Sequence, residues 1–168
     1  MKPETDNLRP VVTAALVSLA LTLFLYGGAL ALPLYSDDVL QVPWVEATGT
    51  ADFWRAVGPY RDYRPLHFTL WRLLYLLTGD LRPGLLHALN LAGHGLCGVL
   101  VALLASRWGK RSSLIALLAA AFFVAFPFAF DAVPWAIAFS YPLTTALALG
   151  ALLAYLHARD VASLPHHL

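Results

Sequence analysis

Charged residues are scarce in this sequence. Only 12% of its 168 residues are Asp, Glu, Lys or Arg, and the formal net charge is +1. So small a net charge gives no indication of nucleic acid binding. The single cysteine, Cys97, excludes an intrachain disulfide. The nucleophile-elbow, P-loop, HExxH and CxxC patterns are absent too, so the sequence gives no support to the chemistries that depend on them.

Apolar residues are abundant, at 60% of the chain. A soluble domain of this size could not bury so much apolar surface, which indicates an integral membrane protein. Lipid offers the backbone no hydrogen-bond partners, so the spanning segments should be helices. The sequence therefore predicts an all-α membrane domain over residues 11–158, with about four spans of 18 to 24 residues each. These predicted spans are residues 11–34, 84–105, 113–130 and 135–156.

Charge placement predicts the orientation. The loop 107–111 has three cations and no acid, which places it in the cytoplasm under the positive-inside rule. The tails 1–10 and 159–168 then also lie in the cytoplasm, as in a multi-pass protein of a bacterial inner membrane. The loop 35–83 faces outside. Its aromatic-rich pieces and the short apolar stretch 65–77 are expected to form interfacial helices in contact with membrane lipids.

Acidic residues fall at two points of this predicted outer face. Asp37 and Asp38 follow the first span directly, and Asp131 follows the third. Such carboxylates can supply a general base or, with Asp38 as a ligand, bind a divalent cation such as Mg or Mn. Arg61 and Arg64 in the same loop are suited to bidentate phosphate binding. The alternative is that the acids only end helices and the arginines only touch lipid headgroups.

Polar residues also lie within the second predicted span. His87, Asn90 and His94 share one helix face, because they are spaced by three and four residues. One interpretation is a helix-packing seam with interhelical hydrogen bonds, helped by the small residues Gly93, Gly95 and Gly98. The other is axial ligation of a haem or chlorin by His87 or His94. The terminal pair His166-His167 is interpreted as part of the tail.

The order of these motifs resembles a known family. An acidic pair after the first span is followed by Tyr63-Arg64-Pro65-Leu66, by the His87/Asn90/His94 stripe, and by Phe126-Pro127 with Asp131 and Trp135. This arrangement resembles the N-terminal transmembrane part of the GT-C glycosyltransferases, in particular the protein O-mannosyltransferase-like and tetratricopeptide-containing mannosyltransferase-like branches. The chain departs from the family pattern at Phe126-Pro127 and Asp131, where members usually have His-Pro and a glutamate.

The resemblance implies roles for individual residues. Asp37 or Asp38 would be the catalytic base or help to bind a metal, and Asp131 would match the second outer-loop acid. Arg64 and His94 would support the site or bind the phosphate of the sugar donor, a polyprenyl-phosphate sugar. Arg61 is the second candidate for the donor phosphate.

Two functions therefore remain open. The first is a GT-C-like transferase unit that moves a sugar from a polyprenyl-phosphate carrier at the outer leaflet. Because family members have more spans, this unit is expected to be partial or to act with a partner transmembrane protein. The alternative is a non-catalytic subunit or assembly factor of a membrane complex. In that case the faces carrying Gly93, Gly98 and the phenylalanines would contact partner helices.

Overall fold

A computed structural model describes residues 8–107 and 112–162, and the regular secondary structure of this part of the chain is all helical, without strands. The prediction of an all-α protein is confirmed. Three short 3-10 helices cover Gly27–Ala31, Asp52–Trp54 and Ala136–Phe139. The α-helices are α1 (Leu8–Tyr26), α2 (Asp38–Ala47), α3 (Pro65–Thr78), α4 (Pro83–Ala105), α5 (Ser112–Val124), α6 (Ala129–Ala132) and α7 (Ser140–Ala162).

Three helical segments are long and apolar enough to cross a membrane: Val12–Ala31, Pro83–Ala105 and Ala136–Val161. They correspond to three of the four predicted spans. The predicted span 113–130 is not a continuous helix of that kind. Its helix, α5, has 13 residues, which is about 20 Å against the roughly 30 Å of a bilayer core. It ends at Val124, three residues before Pro127, which has no N–H to continue the helix.

Residues 125–139, the interrupted segment, connect α5 to α7. They contain the four-residue α6 and the 3-10 helix Ala136–Phe139. Much of the predicted cytoplasmic surface lies outside the described residues, namely 1–7, 108–111 and 163–168 with His166 and His167. The predicted positions of the two tails are therefore not addressed by the fold.

Helix α4 is the centre of the bundle and packs against α1, α5 and α7. Small residues on α4 allow this close approach, as in other membrane helices. Gly93 faces Pro142 of α7, Gly95 faces Leu19 of α1, and Gly98 lies against both α1 and α5. At a further contact of α1, α4 and α5, only alanines meet: Ala14, Ala102, Ala116 and Ala120.

Contacts along α4 give the direction of each neighbouring helix. The turn after α1 meets the start of α4, because Leu30 lies beside Gly84, so α1 is antiparallel to α4. The start of α7 lies beside Gly93, and Asp160 near its end pairs with Arg107 just after α4. Helix α7 therefore runs in the same direction as α4. The chain returns between them through α5 and the interrupted segment.

Residues 32–82 form a cap on one end of the bundle, here called the loop end. Helices α2 and α3 enclose an aromatic core of Phe53, Phe68 and Trp71, each at most 1% exposed. The same cluster includes Leu86 of α4 and Ile137 of the interrupted segment. The cap is thus packed onto the bundle. Leucines of α3 are left exposed on its outer side: Leu66, Leu73, Leu76 and Leu77.

Gly98 offers a test of the α4 packing. A Cβ atom at this position would lie 2.8 Å from Cγ2 of Val124 and also overlap the Ser18 hydroxyl. We expect Gly98→Ala to lower the free energy of unfolding by about 1–3 kcal/mol, the usual cost of overpacking. Gly150→Ala is the matched control, since nothing lies within 4 Å of its Cβ position. Thermal unfolding in detergent measures both, and equal melting temperatures would contradict the packing described.

Candidate functional site

The acidic pair lies where the cap begins. Ser36 has a φ of 55°, in the left-handed region, and this sharp turn directs the chain from the end of α1 into α2. Asp38 is the first residue of α2, where a carboxylate interacts favourably with the helix dipole. Asp37 is half-buried, and its Oδ1 accepts a hydrogen bond of 3.2 Å from the Ser36 hydroxyl. The two neighbouring carboxylates therefore have different surroundings.

Asp38 is fully buried, with 0% of its surface exposed. Its Oδ1 accepts a hydrogen bond of 2.8 Å from the backbone N–H of Ile137, 99 residues away in the sequence. Its Oδ2 has no hydrogen-bond partner. Asp38 thus joins the cap to the 3-10 helix that precedes α7, and one of its oxygens remains unpaired.

Burial raises the pKa of Asp38 to about 6. The hydrogen bond from the Ile137 N–H opposes this shift, as do the nearby backbone N–H groups of Tyr35 and Ala136, and the charge of Asp37 adds to it. Because the folded protein binds this proton more tightly than the unfolded chain does, the contribution of Asp38 to stability decreases as pH rises from about 4 to 6.

Asp131 lies on the other side of the same region. It is exposed on α6 and lines a cavity of about 850 Å³ together with Tyr35 and Trp135. The rings of Tyr35 and Trp135 stack with centroids 6.2 Å apart and planes 19° apart. Burial raises the pKa of Tyr35, and the negative charges of Asp38 and Asp131 raise it further. Two of the three predicted acids, Asp38 and Asp131, therefore lie near Tyr35 of this aromatic pair.

The two predicted phosphate-binding arginines are placed differently. Arg64 donates a hydrogen bond of 3.3 Å to the Ile137 carbonyl and lies 3.2 Å from a carboxylate oxygen of Asp62. Arg61 is exposed in a tight turn with a φ of 61°. The 850 Å³ cavity lined by Asp131, Tyr35 and Trp135 is called the acidic cavity, and its described lining residues include no lysine, arginine or histidine. Arg64 binds the carbonyl of Ile137 and Asp38 binds its N–H, so both backbone polar groups of this residue are paired with the cap.

His94 lies in the bundle, away from the acidic pair. It is the twelfth residue of α4, about 16 Å along the helix from its start. Its Nε2 is 3.3 Å from the Val124 carbonyl, and its ring contacts Tyr26 and Phe123. Asn90 donates a hydrogen bond of 3.2 Å to the Val133 carbonyl. This placement is that of a packing seam, as the first interpretation of the polar stripe predicted.

Three residues at the loop end had no assigned role in the sequence. Tyr35 and Trp135 flank the two acidic motifs, and that flanking position is the signal that could have identified them. His67 is 2% exposed and its ring contacts Trp71 and Phe139. Burial, assisted by the charge of Arg64, lowers the pKa of His67 to about 3, so the ring is neutral at physiological pH.

A divalent cation was one expectation for Asp38. Over residues 8–107 and 112–162, no three or more His, Cys, Asp or Glu side chains form a group that could hold a metal ion. Comparison with protein-family models, with curated proteins and with solved structures found no match to this chain.

Substitutions of Asp38 test both its hydrogen bond and its titration. Asp38→Ala removes the acceptor for a buried N–H, and we expect it to cost about 1–3 kcal/mol of folding free energy. Asp38→Asn keeps an acceptor oxygen, so it should be less destabilising than the alanine variant. The asparagine variant cannot titrate at this position. Its stability should therefore decrease less than that of the wild-type protein as pH rises from 4 to 6.

Thermal unfolding in detergent from pH 4 to 8 measures these effects. If the asparagine variant kept the whole pH dependence of the wild-type protein, the titration assigned to Asp38 would be wrong.

Proposed function

We propose that this protein is a GT-C-like glycosyltransferase unit that moves a sugar from a polyprenyl-phosphate carrier to an acceptor at the outer leaflet. The observation that carries the proposal is that carboxylates from two distant segments, Asp38 and Asp131, lie near enough to Tyr35 for their charges to raise its pKa. Asp131 also lines the 850 Å³ cavity together with the stacked Tyr35–Trp135 pair. An accessible carboxylate beside a cavity is the minimum requirement for general base catalysis on a hydroxyl group.

The two members of the acidic pair have different roles in this proposal. Asp37, which is partly accessible, takes the proton of the acceptor hydroxyl. The acceptor oxygen then attacks the anomeric carbon of the sugar, and the bond to the phosphate oxygen breaks, releasing the polyprenyl phosphate. Asp38, which is buried and bonded to Ile137, is a positioning residue that holds Asp37 and the interrupted segment in place.

The donor phosphate needs a cation that the acidic cavity does not provide. Arg61, whose side chain is exposed, is the arginine in the cap that we assign to this task, because Arg64 already pairs with Asp62. We further propose that a partner transmembrane protein completes the site for the donor lipid. No step is assigned to a divalent cation.

The proposed membrane arrangement follows the helix directions. The helices α1, α4 and α7 make three crossings, and α5 together with the interrupted segment makes the fourth. Both ends of the chain then lie on the cytoplasmic side, and the cap lies outside. In this arrangement the exposed leucines of α3 contact the outer leaflet, as an interfacial helix does.

Asp37→Asn tests the transferase proposal. We expect it to reduce sugar transfer at least about 100-fold, since loss of a general base usually costs two to four orders of magnitude. Transfer is measured as radiolabelled hexose released from a polyprenyl-phosphate donor by membranes that contain the full chain and its partners. Asp80→Asn is the control, because Asp80 is a cap acid whose side chain is 48% exposed and pairs with Arg82. Equal activity of the two variants would refute the role of Asp37.

A non-catalytic membrane subunit is the second candidate, and the burial of Asp38 favours it. A carboxylate that is 0% exposed and bonded to the backbone serves a structural purpose whether or not chemistry occurs. Gly93 and Gly98 already contact helices of the same chain, so they are not available to partner helices. The exposed phenylalanines near the interrupted segment remain as a partner surface: Phe122, Phe126, Phe128 and Phe130.

Because the transferase candidate also has a partner, the transfer assay of Asp37→Asn separates the two candidates, and purification in mild detergent tests the phenylalanine surface. The subunit candidate predicts a stoichiometric complex with another membrane protein that survives Asp37→Asn but is lost in a Phe126→Ser, Phe128→Ser double variant. A complex that forms equally well in the double variant would contradict the phenylalanine surface.

A further inference from the structure

The acidic cavity has two chemically different walls. One is apolar and is formed by the end of α1 and the turn after it, including Leu25, Ala29 and Leu32. The other is formed by Tyr35, Asp131 and Trp135, which carry a phenol, a carboxylate and an indole. Leu25 and Ala29 of this wall belong to Val12–Ala31, a helical segment long and apolar enough to cross a membrane, and Leu32 follows it directly. The cavity therefore joins an apolar compartment to a polar one, which is the division an amphiphilic ligand requires.

The charge of the polar wall restricts the headgroup. Among the described residues that line the cavity, Asp131 is charged and no residue is a cation. Asp38 acts on the same region, since the negative charges of Asp38 and Asp131 both raise the pKa of Tyr35. A phosphate would meet negative charge without a compensating cation, which is unfavourable at close range in a low dielectric. A neutral headgroup avoids this repulsion.

The aromatic pair favours a hydroxylated ring. Trp135 and Tyr35 present two nearly parallel rings, 19° apart, at the polar wall. Aromatic rings offer an apolar face together with a polar edge, and this matches a sugar ring, which has C–H groups on its face and hydroxyls at its rim. The Asp131 carboxylate and the Ser36 hydroxyl at the same cavity can bind those hydroxyls. The volume of about 850 Å³ also accommodates part of a hydrocarbon chain.

We propose that this cavity binds a neutral glycolipid, with its sugar between Asp131 and the Tyr35–Trp135 pair and its hydrocarbon chain along the end of α1. The cavity discriminates against anionic lipids, including the phosphate of a polyprenyl carrier. Identifying the bound lipid as the sugar acceptor rests on the transferase function proposed above, whereas the binding itself does not.

Two adjacent glycines provide a matched pair of variants. Gly27 and Gly28 lie in the same 3-10 helix, and nothing lies within 4 Å of the Cβ position of either. Gly28 lines the cavity, whereas Gly27 is not among its lining residues. The Cβ position of Gly28 is thus open, and Gly28→Trp places an indole at the lining of the cavity. Gly27→Trp adds the same side chain to the same short helix outside the cavity.

The experiment measures binding of radiolabelled glucosyl-diacylglycerol to the full chain in nanodiscs. We expect Gly28→Trp to weaken binding at least about tenfold, or 1.4 kcal/mol, while Gly27→Trp changes it less than about twofold. Unlabelled phosphatidylglycerol should compete at least about tenfold less well than unlabelled glycolipid, and Asp131→Asn should reduce that difference. Methyl glucoside, which lacks a hydrocarbon chain, should compete less well than the glycolipid.

Each contrary result overturns a defined part of the proposal. Equal binding by the two glycine variants would exclude this cavity as the site, and equal competition by phosphatidylglycerol would exclude the charge selection. Equal competition by methyl glucoside would exclude the lipid part. Glycolipid binding without sugar transfer would refute the transferase and leave this site intact, whereas transfer without glycolipid binding would do the reverse.

Discussion

Hydrogen bonds from α4 to carbonyl groups of its neighbours are the interaction on which the rest of the structure depends. Asn90 donates to Val133 at 3.2 Å, Cys97 donates to Pro142 at 3.2 Å, and His94 lies 3.3 Å from the Val124 carbonyl. A carbonyl without a partner in hydrocarbon costs several kcal/mol. The chain can leave the helical conformation between α5 and α7 because α4 supplies these donors, which explains why a largely apolar helix carries Asn90, His94 and Cys97.

The interruption is also what creates the candidate site. Asp131, Trp135 and Ile137 all belong to the interrupted segment. There the backbone N–H of Ile137 is free of helical pairing and can be bound by Asp38 of the cap. The cap in turn holds Tyr35 against Trp135. The acidic cavity therefore depends both on the packing of the helices and on the cap. Contacts between segments about 100 residues apart connect these parts.

Opposite charges are separated at the loop end. Asp131 lines the cavity and Asp38 lies near its Tyr35, while Arg64 is occupied by Asp62 and by the Ile137 carbonyl. A transferase must bind a neutral acceptor near a base and an anionic donor near a cation, and these needs conflict within one pocket. The described residues supply the environment that suits the neutral acceptor. In the proposal, Arg61 and the partner protein together supply the environment for the anionic donor, and the partner also accounts for the exposed phenylalanines beside the interrupted segment.

The sequence by itself determined the helical class, three helices of spanning length and the cap between the first two, because these follow from long apolar runs and the hydrogen-bonding needs of the backbone in lipid. It also predicted that Asp37, Asp38 and Asp131 lie at one end of the bundle. Only the tertiary structure decided that α5 stops at Val124, that Asp38 is buried while Asp37 is not, and that Arg64 is already paired. Those outcomes depend on contacts between distant segments, such as Asp38 with Ile137, which no local pattern of residues encodes.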